Sequence, residues 1–330
     1  MIRNRSHCCG QIAVETRVIV SRKPLITVVI PLYNKADCIL RTLRSVIRQT
    51  DVDFELIVVD DGSTDASAAL VKAAGLPHLQ LIEQHNAGVS AARNRGIRAA
   101  RGEWVALLDA DDLWSHDHLA SLWHAAEGSD AIAVFSNLQL ESRAGRLLID
   151  PNVSAQRIDD YFSFALSNGS YPVSSSSIMI RRDELLAAGP FAEGISTGED
   201  IDMWCRLACR GSFFYSAVPS ATYNDATSPS LCGNRTRISR PLFAERLPQL
   251  MRDHIVPAHL HESSRRYANF LMLEQARQLL DARQYQAARA ILLNDCIPSY
   301  DLRRFLKRLA RTTIVGQILF GLRQMTASRI

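Results

Sequence analysis

The stretch LITVVIPLYNKADCILRTLRSVIRQTDVDFELIVVDDG, residues 25–62, decides the fold. Its opening run, Ile26 to Leu32, is almost wholly apolar, is broken at Pro31 and gives way to the polar Asn34 and Lys35, the pattern of a buried strand running into a turn. Ile39, Leu40, Leu43, Val46 and Ile47 then recur at helical spacing, and Phe54 to Val59 forms a second buried run ending at Asp60 and Asp61. Strand, helix, strand in that order predicts two parallel strands joined by a crossover helix.

The rhythm continues outward from this unit. A helix closed by Gly75, a strand at Leu79 to Ile82, a helix from Gly88 to about Ala100 and a strand at Trp104 to Leu108 follow. The expected class is α/β: a mostly parallel twisted sheet with helices on both faces. After Ser136 the pattern loosens into a hairpin-like stretch, a Ser-rich strand at Val173 to Ile180, a short helix and an acidic segment at Glu199 to Asp202. From about Gly233 the chain reads as helical and Arg-rich. Residues 1–24 read as an irregular leader, 25–232 as the α/β domain and 233–330 as a helical C-terminal region.

Composition narrows the function classes. The chain has 330 residues, 47% apolar and 22% charged, which excludes a disordered or fibrous protein. The net charge of +4 is too small for a general nucleic-acid binder, and residues 301–330 alone carry seven Lys or Arg against one Asp. Seven cysteines without CxxC spacing indicate neither a zinc ribbon nor a disulfide framework, so reduced thiols in the cytoplasm are expected. No run reaches the roughly 18 apolar residues of a membrane span, the nearest being Ile314 to Leu322.

In open parallel sheets ligands bind outside the carboxyl ends of the strands, so the polar residues there are the first functional candidates. Leu107-Leu108-Asp109-Ala110-Asp111-Asp112 delivers three carboxylates within four residues at such an end. Like charges so close call for a cation, and carboxylate oxygens suit Mg²⁺ or Mn²⁺; alternatively the turn is a solvated acidic helix cap. Asp60 or Asp61 can accept from a nucleobase N–H, with Gly62 permitting the turn and Ser63, Thr64 and Asp65 capping the next helix. Arg93, in Ala91-Ala92-Arg93-Asn94, either reaches a nucleotide or pairs with a strand-end aspartate. Glu199 and Asp200 open a helix whose Ile201, Trp204 and Leu207 form a buried stripe; an acid there complements the helix dipole or serves as a base. His116 and His118 read as surface-loop or helix-start residues rather than metal ligands.

Five motifs, Val29-Ile30-Pro31-Leu32-Tyr33-Asn34, Val59-Asp60-Asp61-Gly62-Ser63-Thr64-Asp65, Asn86-Ala87-Gly88 with Ala91-Ala92-Arg93-Asn94, Asp109-Ala110-Asp111-Asp112 and Gly198-Glu199-Asp200, together resemble glycosyltransferase family 2 over about Leu25 to Ser230. The resemblance implies a GT-A fold and an inverting, metal-dependent glycosyltransferase that uses a nucleotide-diphospho-sugar, of the UDP class. It implies that Pro31, Tyr33, Asn34, Asp60, Asp61, Arg93, Asn94, Asp109 and Asp111 bind the nucleotide sugar, that Asp111 with Asp109 holds Mn²⁺ or Mg²⁺, and that Asp200 is the catalytic base. The acceptor is expected to be a glycan or lipid-linked hydroxyl in surface polysaccharide or glycoconjugate synthesis, with its wall built from about Asn137 to Ser174. Many members carry a His a few residues after the position of Tyr223; here the segment is Asn224-Asp225-Ala226-Thr227.

Two rivals are a sugar nucleotidyltransferase and a catalytically silent nucleotide-sugar-binding module. The first usually has a Gly-rich basic loop where Pro31 to Lys35 stands, and the second need not keep all the acids present here. A dinucleotide-dependent dehydrogenase is disfavoured because no GxG occurs among the 16 glycines. In the C-terminal region, Arg265 to Leu293 resembles a single tetratricopeptide-like helix pair, expected to pack on the catalytic domain. Arg303, Arg304, Lys307, Arg308 and Arg311 are expected on one helix face, with Leu302, Phe305, Leu306 and Leu309 on the other, an arrangement suited to peripheral contact with anionic membrane.

Overall fold

The computed structural model describes residues 24–76, 78–141, 146–169, 171–195, 197–224 and 238–313. The leader up to residue 23, the departure at Asp225 to Thr227, the expected domain boundary near residue 232 and the Ile314 to Leu322 run lie outside the described residues.

Strands and helices alternate as the sequence predicts: β1 (Ile26–Leu32), α1 (Ile39–Ile47), β2 (Phe54–Asp60), α2 (Ser67–Ala73), β3 (Leu79–Glu83), α3 (Val89–Ala99) and β4 (Trp104–Leu107). Then come β5 (Leu113–Trp114), α4 (His118–Ala126), β6 (Ala133–Leu140), β7 (Arg146–Leu147), β8 (Gln156–Ile158), α5 (Tyr161–Ser167), β9 (Ile178–Arg181), α6 (Arg182–Ala187), α7 (Glu199–Ala208) and β10 (Phe213–Tyr223). The C-terminal part is helical: α8 (Leu242–Arg252), α9 (His261–Asp281), α10 (Tyr285–Asn294) and α11 (Leu302–Arg311).

One sheet runs in the order β3-β2-β1-β4-β9-β6-β10-β5, with β7 on β6 and β8 on β10. Its first half, β3-β2-β1-β4, is parallel. The second half is mixed, because β9 lies antiparallel between β4 and β6, while β6 and β10 are parallel. The chain begins at β1, moves to β2 and β3 on one side and returns to β4 on the other. The switch point therefore falls between β1 and β4, where the Tyr33–Lys35 and Asp109–Asp112 turns emerge.

Both faces of β1 are covered, which explains its unbroken apolar run. Ile26, Val28, Ile30 and Leu32 pack with Leu43 and Leu119 on one side, and Val29 joins a separate cluster on the other. On that second side α3 lies close, since a Cβ at Gly96 would stand 2.4 Å from Val29 Cγ1. Only glycine permits that approach.

The Ser-rich run is not one strand. Ser175–Ser177 forms a 3₁₀ turn with a capping box to Ser174, and pairing starts only at Ile178. Serine hydroxyls satisfy the backbone locally and so delay the strand.

The C-terminal helices continue the core of the α/β unit. Tyr267, Phe270 and Leu271 of α9 share a buried cluster with Phe135, Phe162 and Phe213, and the Phe162 and Phe243 rings stack at 5.3 Å. The single basic face expected of α11 is divided by its packing. Arg308 and Arg311 turn inward to Glu274 and Asp281 of α9, at 2.5 and 2.8 Å, and Phe305 is buried. Leu302 and Leu306 are instead 55% and 53% exposed, beside Arg303 and Lys307. The acids of α9 outbid water for two of the arginines, and the helix rotates accordingly.

Candidate functional site

Three strand ends form one wall. After β1, Tyr33 is 45% exposed and Asn34 takes a left-handed conformation with φ 49°. The Asn34 amide oxygen accepts from Thr64 N–H at 2.8 Å, its N–H donates to Ser63 Oγ at 3.0 Å, and Asp65 accepts from Ala36 N–H at 3.0 Å. Ser63, Thr64 and Asp65 thus lock two loops together, and Asp65 also accepts from Ser67 N–H at 2.9 Å, the first amide of α2. Pro31 is buried within β1.

The Asp60-Asp61 pair divides its work. Asp61 accepts from Gln84 Nε2 at 2.7 Å, Ala87 N–H at 2.9 Å and Gly88 N–H at 2.8 Å, so it is spent on holding the loop before α3. Asp60 accepts from Ser63 N–H through one oxygen, and its other oxygen, Oδ1, has no partner among the described residues.

Arg93 and Asn94 tie the elements around the site together. Arg93, 4% exposed, donates to Asp109 Oδ1 at 2.7 Å and to Glu199 Oε1 at 3.0 Å, with its guanidinium 5.6 Å from the Phe191 ring centre. Burial alone would push the guanidinium down, but the charges of Asp109 and Glu199 outweigh it and hold Arg93 above its ordinary range. Asn94 accepts from Phe191 N–H at 2.8 Å and donates to Phe191 O and Glu193, which pins the loop ahead of α7. Both hold neighbouring elements in place, and Arg93 Nε is left without a partner among the described residues.

The Asp109–Asp112 turn is held from behind. Ser176 Oγ accepts from Asp109 N–H at 3.1 Å and donates to Asp112, which also accepts from Asn224 N–H at 3.0 Å. Burial, reinforced by Asp109 and Asp111, pushes the Asp112 carboxyl well above the carboxylate range. Asp109 and Asp111 remain partly exposed, and Lys35 reaches Asp111 Oδ2 at 2.5 Å. Among the described residues no group of three or more His, Cys, Asp or Glu forms a ready-made metal cage. Two accessible carboxylates nonetheless fit Mg²⁺ or Mn²⁺, which bind through one or two carboxylates and take their other ligands from phosphate and water.

His118 is not a surface residue. It starts α4 as expected, but it is buried, 2.8 Å from Ser220 Oγ and stacked on Trp114 at 4.4 Å, and burial pushes its imidazole down to about 3.

The three acids of the first turn of α7 have three different fates. Glu199 pairs with Arg93. Asp202, wholly buried, joins Arg206 at 2.9 Å and Arg246 at 2.7 Å, tying α7 to α8. Asp200 makes no ion pair among the described residues and accepts only from Ile201 N–H at 2.8 Å. Burial, with the like charge of Glu199, pushes its carboxyl up to about 6 although Arg93 pulls the other way. A desolvated, unpaired carboxylate is a far better proton acceptor than a dipole-complementing surface acid.

The sequence assigned no role to Lys35 or Ser176, and to the helices from Arg265 onward only packing on the catalytic domain. Lys35 followed a buried strand like the other strand-end candidates, and its charge was the available signal. Nothing local marked the others.

A GT-A α/β sheet with carboxylates at its switch point and a desolvated acid on the next wall defines a class. Residues 27–185 match the family model described as Glycosyl transferase family 2. The chain carries a glycosyltransferase family 2 domain on the GT-A fold. It is 42% identical over 130 residues to the succinoglycan biosynthesis protein ExoO of Rhizobium meliloti, covering 39% of this chain and 37% of that protein. It is 48% identical over 89 residues to the uncharacterized glycosyltransferase YibD of Escherichia coli, 26% of each. The matched stretches thus span well under half of those relatives. Among solved structures, S. aureus TarS 1–349 in complex with UDP-GlcNAc superposes with a TM-score of 0.65 at 17% identity, over 87% of this chain and 79% of that one. The mannosyltransferase PcManGT from Pyrobaculum calidifontis, in complex with GDP-Man and Mn²⁺, gives 0.56 at 22% identity, over 88% and 85%.

Proposed function

We propose that this protein is a metal-dependent, inverting glycosyltransferase that moves a sugar from a UDP-sugar to a hydroxyl of a glycan or lipid-linked acceptor in surface polysaccharide or glycoconjugate synthesis. Residues 25–232 are its catalytic domain and 233–330 its helical region. The observation that carries the reading is Asp200, unpaired and partly buried at the start of α7, separated from the strand-end acids by the Arg93–Glu199 pair. Relatives in polysaccharide synthesis and fold neighbours that bind nucleotide sugars support it.

Asp60 Oδ1, left without a partner among the described residues, is the acceptor for a base N–H, and Tyr33 presents an exposed ring just after Leu32, which pairs with Asp60 at the neighbouring strand end. Asp109 and Asp111 would hold the divalent ion, which would supply charge neutralisation for the departing diphosphate. Lys35, already on Asp111, is a second cation at that end. Asp200 takes the proton from the acceptor hydroxyl as its oxygen bonds to the anomeric carbon. The bond from that carbon to the diphosphate oxygen breaks, with its electron pair leaving on the diphosphate. One in-line displacement inverts the centre, and no second nucleophilic carboxylate is needed.

Calorimetry of UDP with and without Mn²⁺ tests the donor end. Binding is expected to require the ion and to weaken at least tenfold in Asp111→Asn. Equal affinity in all four titrations refutes the metal assignment.

The protein is further proposed to be cytoplasmic and peripheral at the inner face of the membrane. No described helix is long and apolar enough to cross a bilayer. The outward face of α11 presents Leu302, Leu306, Arg303 and Lys307, each basic residue contributing about 1 kcal/mol near anionic lipid. Sedimentation with phosphatidylserine vesicles at low salt is expected to bring the protein down, less so as salt rises. The double substitution Leu302→Asp with Leu306→Asp should abolish it. Failure of the wild type to sediment makes α11 purely structural.

A further inference from the structure

A cavity of about 300 Å³ lies between α7 and α9. Tyr161 and Trp204 line it from the α/β side, Tyr267, Gln275 and Gln278 line it from α9, and Asp200 stands on its wall. None of the strand-end residues Tyr33, Asp60, Asp109 or Asp111 contributes. Neighbouring positions on a helix point about 100° apart. The first turn of α7 uses that angle: Glu199 turns to Arg93 and the strand ends, and Asp200 to the cavity.

Three buried polar atoms on these walls have no partner among the described residues: Asp202 Oδ1, Trp204 Nε1 and Gln275 Oε1. The residues are 0%, 1% and 5% exposed, so bulk water does not serve them. Atoms so enclosed stand behind the cavity surface, and what a ligand meets there is the neutral polar lining that includes Thr197, Ser239, Gln275 and Gln278. That lining of hydroxyls and amides both donates and accepts, so the complement carries hydroxyls, each able to do the same. Burial also pushes the Tyr161 and Tyr267 phenols well above their ordinary value, and the two neutral hydroxyls bond each other on the wall.

Apart from Asp200, the charges around the cavity are spent on one another. Arg277 pairs with Glu274 at 2.7 Å, Arg240 with Asp295 at 2.7 Å, and Asp202 with its two arginines. No free cation among these selects an anionic ligand. Aromatic walls, neutral polar groups and a volume at the low end of small-molecule sites fit one uncharged sugar ring.

We propose that this cavity is the acceptor site and takes a single neutral hexopyranoside unit with a hydroxyl presented to Asp200. The assignment rests on the transferase reading above and moves most of the acceptor wall from residues 137–174 to the C-terminal helices. Of the earlier segment only Tyr161, Tyr171 and Val173 line the cavity. The helical region is then part of the substrate-binding machinery, and its α9 side chains set which sugar is glycosylated.

Saturation-transfer NMR on the full chain tests this without any turnover, using the methyl α- and β-glycosides of glucose, galactose and mannose, and methyl β-glucuronide as the charged probe. At least one neutral glycoside is expected to receive saturation, and Gln275→Leu and Gln278→Trp should each weaken its binding by tenfold or more. UDP titration of the same variants should stay within twofold of wild type, which also reports that they fold. No saturation of any neutral glycoside, a preference for the glucuronide, or unchanged binding in both variants overturns the assignment. If UDP itself fails to bind the wild type, the transferase reading falls instead, and the glycoside result still reports on the cavity.

Discussion

Asp200→Asn is expected to lower sugar transfer by about 10² to 10⁴, the usual contribution of a positioned general base, while leaving UDP affinity unchanged. The carboxylate has no ion-pair partner to lose, so the substitution removes a proton acceptor and little else. It should also stabilise the fold at neutral pH, and the sign follows from its titration. The folded carboxyl titrates near about 6 and an unfolded one near 3.9, so between those values the folded state retains a proton that the unfolded chain has released. Wild-type stability therefore falls as pH rises through that window, and the full penalty is present above it. The asparagine variant escapes this, so its melting temperature should pull ahead of wild type between about pH 4 and 6.5 and then stay level. In the wild type, kcat/KM should rise with pH along an acidic limb near 6, because only the ionised form accepts a proton. Glu199→Gln separates charge from role, since it removes a neighbouring acid from the same turn. Asp200→Asn retaining more than about a tenth of wild-type transfer removes the base assignment.

The nucleotide half of the fold was legible because its strands are buried on both faces and so write continuous apolar runs, and because acids stand out where such runs stop. Asp60, Asp61, Asp109 and Asp111 were found that way, and all lie at the carboxyl ends of β2 and β4. What the same acids do was not legible. Asp60 and Asp61 are identical in sequence terms, and only the loop from Gln84 to Gly88 decides that Asp61 is spent on backbone amides. Arg93 and Glu199 are 106 positions apart, and no local pattern joins them. His118 looked like a polar helix start, yet its ring is stacked under Trp114. The second half was harder for a related reason. Local serine capping interrupts β9, and α9 contributes a cavity wall through scattered side chains that serve packing and polarity at once.

Arg93→Met is expected to cost about 3 kcal/mol of stability, toward the low end for breaking a buried ion pair because Asp109 keeps some contact with water. The loss comes from what remains. Glu199 and Asp109 lose their shared cation and face one another in a partly dry site, with Asp200 near enough to feel both charges. At about 2–4 °C per kcal/mol for a chain of this order, the melting temperature should drop by roughly 6–12 °C. Calorimetry at pH 7 reads this directly. A second signature distinguishes a positioning cation from a merely structural one. Arg93 holds the Asp200 carboxyl below the value that burial and Glu199 would otherwise impose, so without it the acidic limb of kcat/KM should move above 6. Arg93→Lys keeps the charge but cannot span both acids with a planar fork, so it should fall between the two in stability and in pH profile. Were Arg93 instead a direct ligand of the nucleotide, Arg93→Met would raise the Kd for UDP, leave the limb in place and melt within about 2 °C of wild type, less than the loss of 1 kcal/mol produces.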